Sequence, residues 1–191
     1  MTTGRLEAFT DAVIAIVITI LVLELKVPHE PELAELSEIV PVFLTYVLSF
    51  VYLGIYWNNH HHMMVLTERV NGKILWANLH LLFWLSLVPF TTAWMGETDF
   101  AATPTAVYGV DLLLAAIAYF ILQTAIIAEE GPDSRLRAAL GRDLKGKVSP
   151  LLYLAAIPLA FVSPWIALAV YVFVALMWLV PDRRIESAVS E

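Results

Sequence analysis

The sequence predicts an all-α membrane protein with six transmembrane helices in each subunit and both termini on the cytoplasmic side. Three observations support this fold class: a composition too apolar for a soluble domain, apolar runs of bilayer-spanning length, and basic residues concentrated in alternate loops. Of the 191 residues, 60% are hydrophobic and 12% are aromatic, and the mean hydropathy is +0.76. Soluble domains contain roughly 50% apolar residues, and aromatic residues are enriched at the two membrane interfaces.

Each predicted span is an apolar run bounded by polar residues. A helix needs about 20 residues to cross roughly 30 Å of hydrocarbon, because each residue adds about 1.5 Å. The predicted spans are approximately residues 8–26, 39–64, 74–95, 105–128, 148–162 and 164–181. For the last two we expect short, tilted helices that separate at Ser163-Pro164, since Pro158 and Pro164 would interrupt one continuous helix. No repeat or linker divides residues 1–191, so they are predicted to form a single domain.

The loops indicate the orientation of the predicted spans. With the N-terminus inside and six crossings, ten of the eleven Lys and Arg residues fall on the cytoplasmic side, and Lys26 lies outside. The ten are Arg5, Arg69, Lys73, Arg135, Arg137, Arg142, Lys145, Lys147, Arg183 and Arg184. Because cytoplasmic loops carry the excess of basic residues, this topology is favoured over its inverse. We therefore expect a multi-pass protein of a cell membrane, surrounded by lipid.

Charge and composition also disfavour several classes of function. The net charge of −7 argues against nucleic acid as a partner, because nucleic-acid binding needs a basic face. The chain has no cysteine, so disulfides and thiolate chemistry are unavailable. No nucleophile–base pair or metal-ligand set stands at a credible spacing. We expect neither an enzyme nor a bound cofactor.

Charged residues stand at the start of the first predicted helix. Arg5, Glu7 and Asp11 lead into an apolar run from Ala12 to Leu23. Ionisable groups at membrane depth are costly, so they indicate function by default. The alternative is that Arg5 only anchors the helix at the membrane interface and that Asp11 is an ordinary charge at the start of a helix.

Polar residues of the second and third predicted helices fall at the same membrane level as the charged start of the first helix. The consecutive histidines at 60–62 point about 100° apart on a helix, so they cannot converge on one metal ion. We expect one or two of them to hydrogen-bond Asp11 or Arg5, and the rest to be solvated. Asn78 is expected to make a hydrogen bond between helices. Asp111, in the fourth predicted helix, is explained equally well by a functional role and by a structural one.

One stripe of the first helix has the spacing of a helix seam. Its members recur at intervals of 4, 3, 4 and 3, and they are Ala12, Ile16, Thr19, Leu23 and Lys26. This is the geometry of a face that packs around a symmetry axis. On spacing alone, however, such a stripe is ordinarily part of a packed core.

Four short motifs in the first half of the chain point to a known family. They are Arg5-x-x-x-Phe9-Thr10-Asp11, Tyr56-Trp57-x-x-His60, Trp76-x-Asn78 and Pro89-Phe90-x-Thr92. Together they resemble the signatures of the prokaryotic six-helix relatives of the lysosomal potassium channel transmembrane protein 175. The family's first motif has serine where Thr10 stands here, which keeps the hydroxyl. The second half of the chain agrees with the family only in number of spans and character of loops.

The resemblance implies a homotetramer in a prokaryotic plasma membrane, in which four copies of the first helix surround a potassium path. It implies that Ile16 forms the narrowest hydrophobic ring, with Thr19 and Leu23 as the next layers outward and no fixed metal site. In this interpretation a structural network holds the first helix against the next two. Its members are Arg5, Phe9, Thr10, Asp11, His60 and Asn78.

The leading hypothesis is therefore a potassium-selective leak channel with a hydrophobic constriction. The sequence lacks the Thr-Val-Gly-Tyr-Gly segment of ordinary potassium channels, so no carbonyl-type filter is expected. The main alternative is a proton-coupled secondary transporter that uses Asp11 and the helix-two histidines as a relay. A scaffold or lipid-interacting protein without transport is the third hypothesis.

Overall fold

The chain folds into a helical bundle. The computed structural model describes residues 2–28, 32–141 and 143–179, without the side chains of residues 34 and 35. Arg142, Arg183 and Arg184, which contributed to the predicted orientation, lie outside the described residues. The α-helices of the described part are α1 Thr3–Leu23, α2 Val40–Val65, α3 Gly72–Glu97, α4 Ala102–Glu130, α5 Arg135–Leu140, α6 Leu144–Leu159 and α7 Pro164–Leu179.

Four of these helices, α1 to α4, are long and apolar enough to cross a membrane. The helices α6 and α7 have 16 residues each, and each is about 24 Å long at 1.5 Å per residue. The all-helical class is thus confirmed. Six complete crossings and a cytoplasmic position of both termini remain predictions.

Side-chain caps explain the starts of α3 and α6. The side chain of Asn71 accepts a hydrogen bond from the amide of Ile74 at 3.0 Å and so caps the start of α3. Asp143 caps α6 in the same way, accepting from the amide of Gly146 at 3.1 Å. The first helix begins at Thr3 and ends at Leu23, earlier at both ends than the predicted 8–26.

The second half of the bundle differs from the prediction in two details. The expected break is confirmed, since α6 ends at Leu159 and α7 begins at Pro164. Pro158, however, lies inside the last turn of α6 rather than ending it. The segment between the predicted spans 105–128 and 148–162 contains the short helix α5, which Ser134 caps by accepting from the amide of Arg137 at 3.3 Å.

The helices pack in an order that leaves α1 at the edge of the subunit. The helix α3 packs against α1, α2 and α4, while α6 and α7 lie on the other side against α4. The main neighbours of α1 are α2 and α3. One face of α1 is therefore left uncovered by its own subunit.

Candidate functional site

The first helix has one buried face and one exposed face. The buried face consists of Leu6, Thr10, Ile14, Val17 and Leu21, all at most 4% exposed. The predicted stripe lies on the other face: Ile16 is 58% exposed and Leu23 is 78% exposed, and Ala12 and Thr19 are exposed as well. The expectation from spacing alone, that the stripe belongs to a packed core, is wrong for the single subunit.

Thr19 is a polar group on this otherwise apolar face. Its hydroxyl donates to the backbone carbonyl of Ile16 at 2.8 Å. A hydroxyl has one hydrogen and two acceptor lone pairs. Because the hydrogen is used within the helix, the oxygen presents acceptor lone pairs to whatever faces the stripe. Chemically, such an oxygen can coordinate a cation.

A buried chain of hydrogen bonds joins α1 to α3 and α2. The amide nitrogen of Asn78 donates to the hydroxyl of Thr10 at 2.9 Å, and its oxygen lies 2.8 Å from Nε2 of His60. All three residues are at most 1% exposed. Since Asn78 donates through its nitrogen, its oxygen is the acceptor and His60 carries the proton on Nε2. The interhelical hydrogen bond expected of Asn78 is confirmed.

The other predicted members of the network lie nearer the surface. Asp11 accepts from the indole nitrogen of Trp57 at 3.0 Å, and Glu7 pairs with His61 at 2.6 Å. The expectation that Asp11 or Arg5 would be the partner is wrong for His60 and His61. No sequence pattern selects Trp57 or Glu7 as the partners, although both stand at the same predicted membrane level.

Arg5 and Phe9 belong to the exposed side of α1. Phe9 is 48% exposed, and Arg5 is exposed too. Among the described residues of its own subunit, Arg5 has no ion-pair or hydrogen-bond partner for its side chain. The predicted network therefore divides into a buried part formed by Thr10, Asn78 and His60, and a peripheral part.

An ion pair that was not predicted from the sequence lies just beyond the opposite end of α1. Nζ of Lys26 lies 2.7 Å from the carboxylate of Glu97, the last residue of α3. The hydrogen bond to Glu97 raises the pKa of Lys26 above its usual value. The available signal was that Lys26 and Glu97 carry opposite charges and stand at or within two residues of the ends of the first and third predicted helices.

A second polar cluster lies away from α1, between α2, α3 and α4. Ser49 contacts the hydroxyls of Thr92 at 2.6 Å and Tyr108 at 3.0 Å. Asp111, 4% exposed, accepts from Thr91 at 3.1 Å, and its other carboxylate oxygen has no partner in the part of the chain that the structure describes. Asp111 is thus deeply buried, but it does not lie on the exposed face of α1.

Comparison with known proteins gives consistent matches. A family model described as "Endosomal/lysosomal potassium channel TMEM175" matches residues 5–89. A protein of Chryseobacterium sp. (strain P1-3) named "Potassium channel HX13_20290" is 53% identical over 191 residues, 100% of both chains. "Potassium channel Cha6605_3372" of Chamaesiphon minutus is 32% identical, covering 88% of this chain and 89% of its own.

A solved structure agrees with the fold as well. The crystal structure of a lysosomal potassium-selective channel TMEM175 homolog from Chamaesiphon minutus superposes with a TM-score of 0.83 at 31% identity. The match covers 94% of this chain and 97% of that one. The likeness therefore includes the second half of the bundle, where the motifs gave little information.

Proposed function

Because this chain belongs to the TMEM175 family, we propose that it is a potassium-selective leak channel whose path lies along the exposed face of α1. Relatives that match over nearly its whole length are named potassium channels, and this family membership makes the chain a membrane channel protein rather than an enzyme. The observation that carries the proposed path is the exposure of Ile16 and Leu23 on an otherwise apolar, membrane-length helix.

The proposed path requires several copies of the subunit. One lining helix cannot enclose a channel, so rotational symmetry has to supply the remaining wall. We propose a homotetramer in which four copies of α1 meet around one axis. Its support is the uncovered face of α1, which has a helix-seam spacing and lies opposite to the contacts with α2 and α3.

The proposed constriction is a ring of Ile16 side chains. A hydrophobic ring impedes ions because water withdraws from it, so an ion passing there sheds most of its hydration. Potassium is less strongly hydrated than sodium and loses water more readily, which favours potassium. The Thr19 oxygens, with their hydrogens held by the Ile16 carbonyls, would replace part of the lost water. Leu23 forms the next layer outward.

The buried chain formed by Thr10, Asn78 and His60 is proposed to hold α1 at a fixed rotation about its axis. It does not line the path. The hydrogen bonds of Asn78 to Thr10 and His60 favour one packing arrangement, because any other arrangement leaves these buried atoms unpaired. Nδ1 of His60 has no partner within the described part of the chain.

Proton-coupled transport through Asp11 and His60 is less well supported by their contacts, whereas His61 does pair with the titratable Glu7 at 2.6 Å. Asp11 accepts a hydrogen bond from Trp57, and an indole N–H is a donor only, so it does not relay a proton. His60 bonds to an amide, which does not titrate.

The test is a gradient-driven potassium flux assay with purified protein in liposomes. The variant Ile16→Asn is expected to raise the flux severalfold, because a polar ring stays wetted. Its matched control is Ile121→Asn, which changes an isoleucine of α4 that is 42% exposed on the subunit. No flux in wild type, or equal changes in both variants, would overturn the proposal. Saturating flux that carries protons would instead establish the transporter.

A further inference from the structure

A small polar cavity lies inside the subunit, between α2, α4, α6 and α7. Its volume is about 50 Å³, and none of its described lining residues belongs to α1. A cavity needs about 10–15 Å³ to hold one water molecule, so this one has room for a few water molecules but not for a larger ligand. Its polar lining consists of Tyr56, Asn59, Gln123, Asp143, Ser149 and Tyr153.

The hydroxyl of Tyr56 borders this cavity without a protein partner. Tyr56 is 9% exposed, and its hydroxyl makes no hydrogen bond within the described part of the chain. Its oxygen is not enclosed by protein atoms, unlike the unpaired carboxylate oxygen of Asp111. Because Tyr56 lines the cavity, the open space beside this oxygen is the cavity.

The depth of Tyr56 in the bundle limits what can pair with its hydroxyl. Tyr56 lies about 14 Å from the end of α2 at Val65, at 1.5 Å per residue. At this depth of a membrane-spanning helix the surrounding hydrocarbon supplies no hydrogen-bond partner, and an unpaired hydroxyl is costly. The partner of the hydroxyl therefore has to lie in the cavity.

Neighbouring side chains can complete the hydrogen bonding of water in this space. The side-chain nitrogen of Gln123 donates to Asp143 at 3.2 Å, so the Gln123 oxygen and the remaining carboxylate lone pairs are acceptors. The hydroxyl of Tyr119 donates to the carbonyl of Asn59 at 3.2 Å, so its oxygen is an acceptor too. A buried water molecule makes about three hydrogen bonds, and these acceptors together with the Tyr56 hydroxyl supply them.

We propose that the cavity holds a cluster of ordered water molecules that joins α2 to α4 and α6. In the part of the chain that the structure describes, α2 packs mainly against α1, α3 and α7, whereas α4 packs mainly against α3 and α6. Water bound between Tyr56 on α2, Gln123 on α4 and Asp143 at the start of α6 fills this gap with hydrogen bonds. The cluster does not depend on the proposed ion path, since the cavity does not reach α1.

The test is X-ray hydroxyl-radical footprinting of the full-length protein in nanodiscs, measured by mass spectrometry. Radicals form from water where it is bound, so a buried side chain reacts when ordered water lies beside it. Tyr56 is expected to be modified severalfold faster than Tyr108, which is 0% exposed, does not line the cavity and contacts the hydroxyl of Ser49 at 3.0 Å. Equal rates at the two tyrosines would show a dry cavity and overturn the proposal.

Filling the cavity tests whether the water that reacts with Tyr56 is located there. Ala116 lines the cavity, and Ala116→Leu places a larger apolar side chain in the space. Modification of Tyr56 is therefore expected to fall severalfold. Ala125→Leu, at a half-buried alanine of α4 that does not line the cavity, is the matched control and is expected to keep the wild-type rate. An unchanged Tyr56 rate in a folded Ala116→Leu protein would overturn the proposal.

The variant Tyr56→Phe gives an outcome that does not require Ala116→Leu to fold. When water satisfies the hydroxyl, the substitution loses hydrogen bonds, so the thermal unfolding temperature is expected to fall. In a dry cavity the same substitution removes an unpaired buried hydroxyl, which raises that temperature. An unchanged or higher unfolding temperature in Tyr56→Phe would therefore also contradict the water cluster.

Discussion

Asn78 and Thr10 form a buried hydrogen bond of 2.9 Å between α3 and α1, and this bond faces away from the proposed ion path. Thr10 and Thr19 are nine residues apart, or about two and a half helical turns, so they point in opposite directions. Accordingly Thr10 is 0% exposed and Thr19 is exposed. Holding Thr10 inward therefore directs Thr19 outward.

The first prediction concerns Asn78. Replacing it with alanine leaves the hydroxyl of Thr10 and Nε2 of His60 buried without their partner. Each orphaned group costs about 1–3 kcal/mol, so Asn78→Ala is expected to lower the thermal unfolding temperature and the yield of assembled protein. Asn58→Ala, a half-buried asparagine of α2, is the control. Unchanged stability and assembly in Asn78→Ala would contradict the assigned role.

The sequence was sufficient for the four long helices because each is an apolar run bounded by polar residues. The predicted 39–64 and the observed Val40–Val65 differ by one residue at each end. The short helix α5 was missed because its six residues are too few to show a hydrophobic period. Its cap, Ser134, has no pattern around it that distinguishes it from a loop serine.

Sequence patterns select candidate residues for the site, but they do not predict the contacts of those residues. The spacing of Ile16 and Thr19 identified a helix face, yet spacing is the same for a face that is buried and one that is exposed. Likewise, a six-residue separation excludes a shared face for Arg5 and Asp11, but it does not choose their partners. Partner choice depends on how α1 and α2 are rotated, which is a property of the packed bundle.

The second prediction concerns selectivity at Thr19. Thr19→Val keeps the shape of the side chain but removes its oxygen, so an ion loses one ligand from each subunit. The potassium-to-sodium permeability ratio is expected to fall severalfold, on the basis that an unreplaced polar contact costs about 1 kcal/mol or more. Thr19→Ser is expected to retain the ratio. Reversal potentials under mixed-ion gradients measure it, and equal ratios in valine and serine variants would exclude Thr19 from the path.

The third prediction concerns the ion pair between Lys26 and Glu97. Lys26→Gln leaves the Glu97 carboxylate unpaired, which concentrates cations at that end of the channel. Potassium conductance is expected to rise about twofold in 10 mM KCl and to be unchanged in 1 M KCl, because the screening length falls from about 30 Å to about 3 Å. Lys73→Gln, at the other end of α3, is the control and is expected to lack this increase.

The pH dependence of that effect follows from the direction of the pKa shift. Glu97 raises the pKa of Lys26, so the positive charge of Lys26 is fully present below the ordinary lysine pKa of about 10.4. It is lost only as the pH rises through the raised value. The difference between wild type and Lys26→Gln is therefore expected to stay constant from about pH 6 to pH 9. A difference that disappears within this window would contradict the ion pair.

The fourth prediction is that the buried carboxylate of Asp111 takes no part in transport. Asp111→Asn keeps an oxygen that can accept from Thr91, which now contacts the carboxylate at 3.1 Å, and it keeps the size of the side chain. Because Asp111 lies between α3 and α4 and not on the exposed face of α1, potassium flux is expected to stay within about twofold of wild type, a change of less than 1 kcal/mol. The measurement is liposome flux driven first by a potassium gradient and then by a pH gradient, beside thermal unfolding to confirm that the variant is folded. Loss of flux from a folded Asp111→Asn protein would mean that this carboxylate lies on the transport route, and a route lined by α1 alone would then be wrong.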